Sequence, residues 1–179
     1  MSLLSYNELC ELVERGVITN VDLKDVNGTS IDVHLGPTIM VEKVCGNSAI
    51  SLRDKEQLRM EKLDITGGSY FLLPNQFILA HTVEKFYMPA DLSAEFKLNS
   101  SGARIGLENA LATWCDPWWH NSTLTLELKN LTQFHTIRLH DGVRIGQMIF
   151  HRSEPVPAEH GYAARGRYNN NASVQGVLL

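Results

Sequence analysis

One acidic side chain, in the run Ser122-Thr123-Leu124-Thr125-Leu126-Glu127-Leu128-Lys129, has the setting for proton chemistry. Leu124, Leu126 and Leu128 alternate with Thr123, Thr125, Glu127 and Lys129, so a strand here turns Glu127 away from its apolar face. On open surface such a carboxyl is simply solvated. Set against a pocket or an oligomer interface, partial burial raises its pKa and suits it to taking and returning protons. In Asn99-Ser100-Ser101-Gly102-Ala103-Arg104-Ile105-Gly106, two hydroxyls stand beside a glycine, where a backbone turn can approach a ligand closely. Arg104, a short step onward, can grip a phosphate with two parallel hydrogen bonds. Asp116 precedes Pro117 in Ala112-Thr113-Trp114-Cys115-Asp116-Pro117-Trp118-Trp119, the setting of a turn-forming aspartate, and the tryptophans there read as core or interface. Gly142-Val143-Arg144-Ile145-Gly146-Gln147 reads as a turn entering a strand, since it lacks the spacing and following helix of a dinucleotide-binding loop.

The elements that must position these residues are mostly strands. Ser5 and Glu8 have capping-box spacing, Leu9, Leu12 and Val13 share a helical face, and Gly16 can end the helix, which predicts a short helix over about 5–15. After Gly28 the period becomes two: Ile31, Val33 and Leu35 alternate with Ser30, Asp32 and His34, as in a half-buried strand. Further strands are expected at 70–73, 77–81, 124–128, 136–139 and 147–151, separated by Gly67-Gly68, Pro74-Asn75, Asp116-Pro117 and Asp141-Gly142. Many short strands with turns at that spacing predict a sandwich or barrel-like β-fold. Beyond Pro157 the chain becomes rich in Gly, Asn, Arg and Tyr. That composition fits either a disordered tail or a lid whose Arg and Tyr side chains grip phosphate and sugar as it orders.

Composition removes several classes of function. A chain of 179 residues supports one well-buried core, and 44% apolar with 20% charged residues is ordinary for a globular domain. No apolar run approaches a membrane span. The start Met1-Ser2-Leu3-Leu4-Ser5 lacks the pattern of a signal peptide, which predicts a cytoplasmic protein. Net charge −4 argues against coating nucleic acid but leaves room for a small anionic ligand. Cys10, Cys45 and Cys115 form no C-x-x-C pair, and the H-x-E with P-C-x-x-C pattern of zinc deaminases is missing, as are a Walker loop and a G-x-S-x-G elbow.

Taken in order, these segments resemble the dCTP deaminase branch of the dCTP deaminase/dUTPase superfamily over nearly the whole chain. Asn27-Gly28-Thr29-Ser30-Ile31-Asp32-Val33-His34-Leu35-Gly36 is similar to that family's "NG…(V/I)DVxLG" strand. Pro74 through Ala80, with Thr82, Glu84 and Pro89-Ala90-Asp91-Leu92, resembles its "PGE…LA.T.E…PADL" stretch. Ser100 to Gly106 matches "SSxxRxG", Thr125-Leu126-Glu127 the strand with the deaminase glutamate, and Gly142 to Gln147 "GxRIGQ"; Tyr162 with Arg167-Tyr168 resembles the tail's "Y…KY".

The resemblance implies a mainly β subunit, a distorted β-barrel or jelly roll with a short N-terminal helix. It implies a single domain over 1–179, of which about 158–179 is a mobile C-terminal lid. It implies a homotrimer or hexamer with sites between subunits, dCTP and/or dUTP as substrate, Mg2+ bound with the triphosphate, and no catalytic zinc. Neither nucleic acid nor membrane is an expected partner. Carried over by position, Glu127 is the general acid/base, Ser100 holds the attacking water or the tetrahedral centre, and Arg104 stabilises it. Ser101, Arg144, Gln147, Tyr162, Arg167, Tyr168 and Asn171 contact triphosphate and base, and Asp32 is structural. Asp116 aligns with the aspartate that dUTPases use to activate water against the α-phosphate.

Departures from the pattern mark a divergent member, of the phage-like or bifunctional kind. Asn99 stands where the family has a basic residue, so a phosphate contact is expected to be lost. "D-x-G-(aromatic)-x-G" becomes Asp116-Pro117-Trp118-Trp119-His120-Asn121, and Trp in place of Gly predicts a different loop path. Arg167 replaces a lysine. A site with both Asp116 and Glu127 can deaminate dCTP, cleave its triphosphate, or do both. Beside deamination, alone or coupled to hydrolysis to dUMP, stand a dCTP/dUTP pyrophosphatase without deamination and a catalytically silent regulator.

Overall fold

The computed structural model describes residues 2–44, 46, 49–110 and 112–178; Cys45 lies outside them. Strand β1 (Ser2–Leu3) leads into helix α1 (Tyr6–Glu14), where the Glu8 carboxylate accepts the Ser5 backbone N–H at 3.1 Å and Gly16 takes φ 71° just past the end. There follow β2 (Ile18–Thr19), β3 (Ile31–His34), β4 (Thr38–Glu42), β5 (Met60–Asp64), β6 (Ser69–Leu72), β7 (Phe77–Tyr87) and β8 (Leu92–Leu98). Then come helix α2 (Ser100–Arg104), β9 (Leu107–Asn109), β10 (Trp114–Cys115), β11 (His120–Asn130), β12 (Ile137–His140), β13 (Arg144–Arg152) and helix α3 (Tyr162–Arg165).

The strands form two large sheets that do not close into a barrel. One runs β1-β13-β8-β10 with β3 also paired to β13; the other runs β5-β4-β7-β11-β9 with β2 also paired to β7; β12 and β6 pair separately. The expected strands are all present, several longer than the local pattern indicates. Between the sheets lies one core, built from Ile31, Val33, Phe96, Met148 and Phe150 on one side and Ile39, Ile78, Phe86, Leu126 and Leu128 on the other, with Leu9 and Leu12 of α1. The strand at β3 is buried on both faces rather than one. Ser30 and Asp32 are buried as well, and His34 donates its backbone N–H to the wholly buried Glu84 carboxylate at 3.0 Å. Cys10 and Cys115 are free thiols. Among the described residues no helix is long and apolar enough to cross a membrane.

Candidate active site

Glu127 sits seven residues into β11, which is paired on both sides. Its register partner on β7 is Leu79, its carbonyl accepts the Ala110 N–H at 3.0 Å, and its own N–H reaches Asn109 Oδ1 at 3.1 Å. Leu124, Leu126 and Leu128 enter the core as the alternation requires, which puts the half-buried Glu127 on the opposite face. There its Oε2 is buried without a hydrogen-bond partner among the described residues. Loss of hydration disfavours the charged form and pushes the carboxyl up to about 7. At neutral pH it is therefore populated both with and without its proton, the condition for accepting one and returning it in a single cycle.

The Ser100 segment is a short helix rather than a turn. Asn99 caps it: its Oδ1 accepts the Gly102 N–H at 2.6 Å, and its amide donates to the Arg144 carbonyl at 2.8 Å. The residue in the family's basic position thus joins α2 to the start of β13. Ser100, Ser101 and Arg104 are exposed, and Arg104 lines an open cleft of about 660 Å³ with Ile105, His135 and Arg138. Alongside, Arg144 Nη1 donates to Asp32 Oδ2 at 2.8 Å and Asn27 Nδ2 to Asp32 Oδ1 at 2.9 Å, so Asp32 does hold structure together. Gln147 Oε1 accepts the Ser30 hydroxyl at 2.9 Å.

At the Asp116 loop two non-glycine residues take up left-handed backbone. Trp118 and Asn121, which stand where the family pattern has its two glycines, adopt φ 70° and 50°. The loop keeps a glycine-like backbone in spite of its side chains, which costs about 1–2 kcal/mol for a bulky residue and must be offset by contacts. Those contacts are visible. All three tryptophans of the chain use their indole N–H groups on this loop, on the tail or on the segment just ahead of the tail. Trp114 donates to Asp116 Oδ1 at 3.1 Å, Trp118 to the Val156 carbonyl at 2.8 Å and Trp119 to the Tyr168 carbonyl at 2.7 Å. Trp119 is buried and stacks on Phe86 with ring centroids 5.4 Å apart.

Residues 158–178 are seated on the same chain. Tyr162 N–H donates to the Pro117 carbonyl at 3.0 Å, Thr123 N–H to the Asn171 carbonyl at 2.9 Å, and Asn171 N–H to Ser122 Oγ at 3.2 Å. Val174 is 2% exposed. Arg167 Nη1 donates to the Leu178 carbonyl at 2.9 Å. Tyr162, its phenol pushed up by burial, lines an open cleft of about 470 Å³ with Asp116, Pro117, His160 and Arg165.

Within one chain, then, Asp116 and Tyr162 share a cleft, with the rest of the tail beside it on the first half of β11. Arg104 lines a different cleft with no lining residue in common. Among the described residues no three His, Cys, Asp or Glu side chains gather as metal donors. Sequence reasoning passed over four participants. Asn109 carries no local signal for its bond to Glu127. Trp114 has one, since residues two apart on an extended segment share a face with Asp116. His160 and Arg165 lie in a tail whose Gly-, Asn- and Arg-rich composition singles out neither of them.

The dCTP deaminase-like family model matches residues 3–153. A dCTP deaminase, dUMP-forming, from Dictyoglomus thermophilum is 32% identical over 94% of this chain and 90% of its own length. Its namesake from Methanobrevibacter smithii is 32% identical over 90% of this chain and 86% of its own. Among solved structures, the 2'-deoxycytidine 5'-triphosphate deaminase from Agrobacterium tumefaciens superposes with a TM-score of 0.67 at 20% identity, covering 84% of this chain and 48% of that one. This chain thus spans about half the length of that solved chain, and the likeness concerns the fold. The matched span contains α2, the Asp116 loop and Glu127 alike, and the chain belongs to the dCTP deaminase-like family.

Proposed function

We propose that this protein deaminates dCTP and couples the deamination to release of pyrophosphate, so that dCTP and two waters give dUMP, ammonia and pyrophosphate. The observation that carries the proposal is Glu127: a mid-strand carboxyl with a buried, unpartnered oxygen, poised near neutral pH. Glu127 takes a proton from the water that adds to C4 of the cytosine ring and delivers protons to N3 and to the amino group. The C4–N bond then breaks, ammonia leaves, and the carbonyl of uracil forms. Ser100 holds the attacking water and Arg104 stabilises charge as it develops, which is where hydrogen bonds gain strength in such a step. Asp116 orients a second water against the α-phosphate, and the bond to the pyrophosphate group breaks. The names of the relatives, dUMP-forming, support the coupled form.

Ser101, Arg144, Gln147, Tyr162, Arg167, Tyr168 and Asn171 contact base and triphosphate. Magnesium enters with the triphosphate. The separate clefts of Arg104 and Asp116 support a homotrimeric or hexameric assembly in which a neighbouring copy brings its α2 to this chain's β11. One incubation tests the function: protein, dCTP and magnesium, with products resolved by chromatography. Ammonia with dUMP and pyrophosphate is expected. dUTP with ammonia would remove the coupling, dCMP the deamination, and binding without turnover both.

A further inference from the structure

We propose that Trp118 is a latch: it holds the root of the C-terminal tail against the Asp116 loop of its own chain, and so positions Tyr162 at the cleft before a ligand arrives. Trp118 stands at a positive φ of 70°, where a glycine would be unstrained. Its side chain nevertheless has two engagements. The indole N–H donates to the Val156 carbonyl at 2.8 Å, just ahead of the tail. The side chain also lies against Gly161, so closely that a Cβ at Gly161 would come within 2.1 Å of Trp118 Cδ1 and 2.5 Å of Cγ. Gly161 itself has φ −74° and ψ 164°, which any residue adopts, so space and not backbone conformation requires glycine there.

The two departures from ordinary residue choice therefore explain each other: a tryptophan where the loop's backbone favours glycine, and a glycine where the tail's backbone needs none. The very next residue is Tyr162, whose N–H is bonded to the Pro117 carbonyl at 3.0 Å. Fixing Gly161 under the indole fixes the start of α3 and with it the tyrosine that lines the Asp116 cleft. The positioning role rests on the function proposed above; the latch does not.

The full chain tests the latch by trypsin susceptibility of the tail, where Arg165 and Arg167 are exposed cleavage sites. Cleavage follows the population of the opened tail when opening is fast. Trp118→Gly suits the backbone at φ 70° and should fold; tail cleavage should rise about tenfold, the effect of losing one hydrogen bond and its ring packing. Gly161→Ala should do the same in the parent chain, and should add nothing once Trp118→Gly is present. Unchanged tail cleavage in Trp118→Gly, or a Gly161→Ala effect of equal size in both backgrounds, would overturn the latch. With dCTP, Trp118→Gly should raise KM several-fold while kcat changes little. If neither protein turns dCTP over, the proposed function fails while the proteolysis still decides the latch.

Discussion

Glu127 and Asp116 are eleven residues apart in sequence, and the two places are built in different ways. Glu127 stands in the middle of a long strand whose register is fixed by β7 on one side and β9 on the other. Its orientation follows from backbone hydrogen bonds and an alternation of leucines, with little need of side-chain contacts of its own. Asp116 stands on a loop with two non-glycine residues at positive φ, shaped by indoles that reach for carbonyls up to 49 residues away. A strand presents its chemistry by periodicity, whereas this loop presents its chemistry only if distant side chains hold it.

The largest expected effect lies on the loop side. Trp119→Ala removes a buried indole, its stacking on Phe86 and its bond to the tail, and should lower stability by about 4 kcal/mol in chemical denaturation. A loss below about 1 kcal/mol would mean that the loop does not depend on that anchor. Next, Asp116→Asn should slow pyrophosphate release about a hundredfold while ammonia is still formed, so that dUTP accumulates. Equal loss of both products would erase the division of labour between strand and loop.

A third prediction concerns pH. Burial raises Glu127 from 4.5 to about 7, so between those values the folded chain keeps a proton that the unfolded chain has lost. That contribution is complete below about pH 4.5 and falls away as pH rises toward 7, amounting to about 3 kcal/mol. Glu127→Gln should flatten this decline, with equal stability at pH 4 and a more stable variant at pH 8; parallel curves for the two proteins would show that the carboxyl is not buried as described. Smallest of all, Trp114→Phe deletes the exposed indole bond to Asp116 and should slow pyrophosphate release about threefold, leaving ammonia release unchanged.

The same contrast decides what the sequence could reveal. The leucine alternation around Glu127 sets its face, and the Ser5–Glu8 spacing marks α1, because both are local rules. The double burial of β3 is invisible to them, since it depends on Glu84 arriving from β7 to meet His34. Ser100 to Arg104 looks like a turn because a five-residue helix carries almost no periodic signal; its cap, Asn99, is the one local clue. Trp118 stands at a positive φ that its side chain disfavours, and the contacts to Val156 and Gly161 that hold it there are long-range and leave no local signal. The grouping of Ser100, Arg104 and Glu127 into one site comes from family resemblance, since the lone chain puts Arg104 in a cleft of its own.

The central claim is that a carboxyl on β11 moves the protons of deamination. Ammonia release from dCTP, measured for the parent protein and Glu127→Gln at pH 7, tests it most directly. A fall of about a thousandfold or more in the variant, with fold and nucleotide binding retained, is the result expected. Undiminished ammonia release from Glu127→Gln would contradict the account.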